Sequence, residues 1–234
     1  MSAKKIILWD FDGTLAHRPG MWSQALFDVL RERQPSTSVT IEDIRPFMRD
    51  GFPWHRPREA HPHLATAEDW WAEIEQLFAR AYVGVGCSAR EAALLAPLAH
   101  QRYLDFQGWS LFEDTLPALD ALTQQGWEHA ILSNHVPELP LIVAALGLSP
   151  YVQAVFTSGC MGYEKPHPQA FRYALDQLGS PSIVWMVGDN IEADILGAQS
   201  VGIPAILVRR QDDQASQYCE TLTELPALFT NHTA

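Results

Sequence analysis

Five short apolar runs do most to limit how this chain can fold. They lie at residues 6–9, 130–132, 154–156, 183–187 and 205–208, and none alternates apolar with polar residues. A strand with one wet face alternates. A strand covered on both faces, as in a parallel sheet, reads as a continuous run. Between the later runs lie segments with helical spacing. Residues 116–122 carry apolar side chains at 116, 119 and 122, and 139–146, 168–178 and 191–201 are each followed by a glycine (Gly147, Gly179, Gly202) suited to a helix C-cap. Strand and helix thus alternate through the second half, which predicts a doubly wound α/β layer.

Residues 15–106 follow another rule. They lack convincing strand alternation and offer four helical stretches, at about 21–33, 41–49, 67–82 and 89–105. Ser88 with Glu91 fits a capping box, and Thr66 suits an N-cap followed by Glu68 and Asp69 in the first turn. The prolines and glycine of 50–58 forbid a helix running through them. The expected organisation is an α/β core of residues 1–14 and 107–234 with an all-helical block, 15–106, inserted after the first strand. Residues 211–234 extend past the last core strand, with a short helix possible at 222–229.

Composition narrows the classes of function. Of 234 residues, 47% are hydrophobic and 19% charged, so the chain can bury a sizeable core. Its net charge is −12, and basic residues never run beyond the pairs Lys4-Lys5 and Arg209-Arg210. Such a body repels nucleic acid and anionic membrane surfaces. The apolar run after Lys5 stops at Asp10, short of the roughly 7–15 residues of a signal peptide. No stretch reaches the ~18 apolar residues of a membrane span. Three scattered cysteines (Cys87, Cys160, Cys219) form neither a CxxC pair nor a disulfide framework. A cytoplasmic protein with free thiols is expected, as a monomer or homodimer.

The chemistry gathers where apolar runs end. Asp10-Phe11-Asp12-Gly13-Thr14 closes the first, placing two acids near the carboxyl edge where open α/β sheets bind ligands. Paired carboxylates suit Mg²⁺, although an Asp-x-Asp-Gly turn is also common in solvent. Ser133-Asn134 follows the second run and can hold phosphate oxygens or cap a helix. Lys165, flanked by Pro166 and Pro168, is displayed on a stiff approach to a helix. Gly188-Asp189-Asn190 closes the fourth run, with Asp194 five residues after Asp189. Asp189 can complete a carboxylate set, while Asn190 and Asp194 can support it from behind or cap the next helix.

In this order along one sheet, these residues resemble the motif set of the haloacid dehalogenase superfamily, and Asp10-x-Asp12-Gly13-Thr14 is similar to that of its phosphatase branch. The resemblance covers most of the chain. It implies a Rossmann-like core with a four-helix cap, and hydrolysis of a small-molecule phosphomonoester through an aspartyl-phosphate. By position, Asp10 would be the nucleophile and Asp12 the acid and base. Mg²⁺ would be held by Asp10, the Asp12 carbonyl and Asp189. Thr14, Ser133, the backbone at Asn134 and Lys165 would grip the phosphoryl group.

Substrate choice would fall to the cap, with His17, Arg18, Trp22, Trp54, His55 and Arg56 as candidates. His61 and His63 lack a third ligand for zinc. A 2-haloacid dehalogenase would need no acid at position 12. A phosphomutase would use a substrate hydroxyl in place of water. A non-catalytic binding protein would have little use for the full set.

Overall fold

This computed structural model describes residues 4–231. The chain opens with β1 (Lys5–Trp9) and a short β2 (Ala16–His17). It then runs through helices α1 (Met21–Arg33), α2 (Ile41–Ile44), α3 (Ala67–Gly84) and α4 (Ala89–Tyr103). It returns by β3 (Ser110–Leu111), α5 (Thr115–Gln124), β4 (Glu128–Ser133), α6 (Leu139–Ala145), β5 (Val152–Thr157) and α7 (Ser158–Met161). The last elements are α8 (Pro168–Gln177), β6 (Ile183–Gly188), α9 (Gly197–Ser200), β7 (Ala205–Val208), β8 (Tyr218–Cys219) and α10 (Leu225–Asn231).

Six strands form one sheet in the order β5-β4-β1-β6-β7-β8, and every adjacent pair is parallel. β1 is central. Its Ile6 and Leu8 join Ala130, Leu132, Met186 and Leu207 on one face, while Ile7 and Trp9 join Ile131, Val187 and Ile206 on the other. Both faces are covered, which is why the apolar runs do not alternate.

The second face continues without a break into Leu26, Trp70, Ile74 and Phe78 of the helices between β2 and β3. There α3 packs on α4 and α4 on α1, and Trp22 stacks on Tyr103 with ring centres 3.5 Å apart. β2 pairs antiparallel with β3, so the chain enters and leaves this helical layer as a two-stranded ribbon. The Ser88–Glu91 box and the Thr66 cap both form. Among the described residues, no helix is long and apolar enough to cross a membrane.

Three local expectations are corrected. The stretch 41–49 divides into α2 and a 3₁₀ turn, Arg45–Met48, because Pro46 has no N–H to continue the helical ladder. The stretch 191–201 begins as a wide π turn, Ile191–Leu196, before α9, and the Asn190 carbonyl accepts from both Asp194 N and Ile195 N. Three strands of two residues each, β2, β3 and β8, add to the expected set, and pairs that short carry no periodicity in the sequence.

Behind β1, the Trp9 indole N–H donates to His129 Nδ1 at 3.0 Å, which leaves the proton on Nε2, 3.0 Å from Thr123 Oγ1. Burial pulls the His129 pKa down to about 4. Unfolded imidazole titrates near ~6.5, so below that pH the unfolded chain takes up a proton that the folded chain refuses. Stability from this group is full above that point and falls as the pH drops toward 4, by up to about 1.4 kcal/mol per unit. Thermal melts from pH 7 to 4.5 should therefore fall less steeply for His129→Gln than for the parent. Equal slopes would remove His129 as the cause.

Candidate active site

β4, β1 and β6 are neighbours with parallel ends, so Ser133, Asp10 and Asp189 arrive together at one edge. Chain order reverses beside β1, which opens a crevice at that edge. Two glycines permit the close approach of the acids. Gly13 has φ +83°, and a Cβ there would lie 2.7 Å from Asp189 Oδ2. A Cβ on Gly188 would collide with the Asp194 carboxylate.

Asp10 Oδ1 accepts from Ser133 Oγ at 2.8 Å and from Lys165 Nζ at 2.8 Å. No hydrogen bond engages Asp10 Oδ2 among the described residues. Lys165 Nζ also donates to Asp194 Oδ1 at 2.6 Å, and Asp194 Oδ2 accepts from the Asn190 amide at 3.0 Å. The ammonium is 2% exposed and Asp194 fully buried. Asn134 clamps the lysine backbone with both ends of its amide. Its Nδ2 donates to Lys165 O (2.8 Å) and its Oδ1 accepts from Lys165 N (2.7 Å). Asn190 Oδ1 accepts from Glu192 N and Ala193 N, anchoring the wide turn that aims Asp194 inward.

Negative charge dominates the centre. Burial, then repulsion from Asp10 and Asp189, pushes Asp12 up to about 7. Burial and Asp10 likewise raise Asp189, against the pull of Arg210. Burial alone would pull Lys165 down, but Asp10 and Asp194 outweigh it and hold the ammonium charged. Carboxylate oxygens of Asp10, Asp189 and Asp194 lie within 4.8 Å of one another. A hard divalent cation fits this donor set. The Asp194 oxygens are already engaged by Lys165 and Asn190, which leaves Asp10 and Asp189 as the available ligands. Arg210 Nη2 sits 2.6 Å from Asp189 Oδ2, but that side chain is 60% exposed, and such a pair is weakly held.

Above the acids lies a cleft of about 470 Å³ lined by Asp10, Asp12, Lys165, Asp189, Trp54 and His55, among others. Trp54 also stacks on Phe52 at 4.7 Å. Four specificity candidates do not line this cleft. The His17 ring packs on Phe112. Arg18 donates to the carbonyls of Asp105 (2.8 Å) and Arg102 (2.9 Å), closing the C-terminal end of α4. Arg56 pairs with Glu59 at the surface. Trp22 lines a smaller cavity beside Asp12. The Thr14 hydroxyl is buried without a partner, while its carbonyl is held by Arg209, which also grips Asp114.

Several contributors carry little signal in the sequence. Arg210 shows there only as half of a basic pair. Glu164, next to Lys165, holds the buried His61 at 2.7 Å across 103 residues. His135 directly follows Ser133-Asn134, and burial draws its pKa down to about 3, so the ring is neutral.

Residues 4–202 match the family model for haloacid dehalogenase-like hydrolases. The chain is 31% identical to a phosphoserine phosphatase of Thermus thermophilus over 91% of its own length and 93% of that protein. It is 32% identical to haloacid dehalogenase-like hydrolase domain-containing protein 3 of Bos taurus, over 62% of this chain and 58% of that one. The chain spans about three-fifths of the length of the first curated relatives it matches. Among solved structures, the HAD hydrolase YfnB of Bacillus subtilis superposes with a TM-score of 0.76 at 20% identity, covering 98% of this chain and 100% of the other. A 2-haloacid dehalogenase of Pseudomonas syringae gives 0.70 at 23% identity, covering 98% and 99%. Fold and relatives together define a hydrolase built on a doubly wound α/β sheet. The chain belongs to the haloacid dehalogenase-like hydrolase family.

Proposed function

We propose that this chain is a magnesium-dependent phosphatase of small phosphomonoesters working through a phosphorylated Asp10, with the helices between β2 and β3 serving as a cap over the site. One observation carries the reading. A carboxylate gripped by Ser133 and Lys165 has a second acid, Asp12, two residues away, and both line one cleft. The similarity to a phosphatase over nearly the whole chain supports it.

Asp10 attacks phosphorus, the bond to the ester oxygen breaks, and Asp12 gives that oxygen its proton. Asp12 then takes a proton from water as the water attacks phosphorus, and the bond to Asp10 breaks. Ser133 and Lys165 bind phosphoryl oxygens, and Asp194 keeps the ammonium in place. Asp10, the Asp12 carbonyl and Asp189 would hold the Mg²⁺, with Arg210 leaving Asp189. The bound ion offsets charge that would otherwise keep an anionic carboxylate from an anionic ester.

The test is a panel of some dozens of phosphate esters. Phosphate release should vanish on exhaustive chelation and return with Mg²⁺. Full turnover after chelation would contradict the metal assignment. Metal-free chloride release from 2-chloropropionate would favour a dehalogenase.

A further inference from the structure

Asp12, Trp54 and Asn134 line the large cleft and also a second cavity of about 130 Å³ behind it. The far wall of the small cavity is Trp22, Tyr103 and His135. A group leaving phosphorus beside Asp12 therefore has this cavity within reach. Its volume approaches that of a ~150 Å³ cavity known to hold benzene, so it suits a group of about six non-hydrogen atoms.

The polar atoms here are unusual. Tyr103 is fully buried and its hydroxyl has no hydrogen-bond partner; His135 is 2% exposed and its ring, near the Val136 backbone, meets no side-chain partner. Buried polar atoms are almost always paired, so this pair calls for an explanation. The two rings lie 6.3 Å apart, close enough for one small ligand to meet both. A neutral imidazole offers one donor and one acceptor, and a phenol offers both. No cation lines this cavity. Arg18 lies behind the Tyr103 ring, 5.3 Å from its centre, with its N–H groups spent on the carbonyls of Arg102 and Asp105, and Arg210 and Lys165 face the other space. With no Lys or Arg side chain on its wall free to pair with an anion, the cavity disfavours a carboxylate or a second phosphate. Trp22 and Trp54 supply flat apolar walls against which C–H faces can pack.

Building on the phosphatase reading, we propose that this cavity selects the leaving group, and that the substrate is the phosphate monoester of a small uncharged polyhydroxy alcohol. Tyr103 and His135 bind its hydroxyls; they touch substrate but take no part in the chemical steps.

The test compares two esters that differ at one end, glycerol 3-phosphate and 3-phosphoglycerate, with ethyl phosphate as a leaving group without hydroxyls. The parent should favour the glycerol ester over the acid by at least about tenfold in kcat/KM. The ratio of kcat/KM for glycerol 3-phosphate over ethyl phosphate should fall about tenfold in Tyr103→Phe, and again in His135→Gln. Such a ratio is insensitive to the fraction of protein that folds. An equal or greater rate with 3-phosphoglycerate, or a ratio unchanged in both variants, would overturn the assignment while leaving the phosphatase intact. Absence of phosphate release from all three esters and from the wider panel would overturn both.

Discussion

Asp10→Asn should lose turnover by on the order of 10⁴-fold or more while keeping its fold. The amide has the same shape and can still present an oxygen to Ser133 and Lys165, which hold Asp10 Oδ1 at 2.8 Å each. It cannot act as an anionic nucleophile. The substitution also removes a charge that pushes Asp12 and Asp189 upward, so little destabilisation is expected. Steady-state rates beside thermal melts separate the two effects. Residual activity above a few per cent in clean protein would exclude Asp10 as nucleophile.

Lys165→Met should damage activity and stability together. Loss of a positioned cation at a phosphoryl group costs about 10²–10³ in kcat. The variant also strands Asp194, fully buried and 2.6 Å from the missing ammonium. Leaving a buried charge without its partner costs roughly 3–5 kcal/mol. Adding Asp194→Asn should then recover much of the stability and none of the activity. Denaturant titrations and rates on the single and double variants check both halves. Recovery of activity in the double variant would mean that Lys165 serves only to neutralise Asp194.

Much of the layout could be read from local pattern. A strand covered on both faces must be a continuous apolar run, and the residue that follows it must emerge at the sheet edge. Hence the places of Asp10, Ser133 and Asp189 were legible from the runs ending at Trp9, Leu132 and Val187. Capping chemistry is equally local, which made Thr66 and Ser88 readable.

What escaped depends on which partner a side chain takes, near or distant in sequence. Arg18 lies beside the first acid pair and looked like an entrance residue, yet its guanidinium closes a helix that ends about 85 residues later. Arg56, in a loop with aromatic neighbours, satisfies itself locally with Glu59. Asp194 suggested an ordinary helix, but the need to reach Lys165 and the Asn190 amide goes with a widened turn. Asn134 looked like a phosphate contact through its backbone, whereas its side chain holds Lys165 across 31 residues. Tyr103 and His135 gave no signal at all, since lacking a side-chain partner is a property of packing rather than of residue type.

The most direct measurement traps the covalent enzyme. Protein mixed with substrate and Mg²⁺, quenched within one turnover and reduced with borohydride, should yield homoserine in place of Asp10 by peptide mass spectrometry, and only when substrate was present. Modification at another residue, or an unmodified Asp10 peptide while phosphate is released at the normal rate and the Asn variant still turns over, would contradict the account.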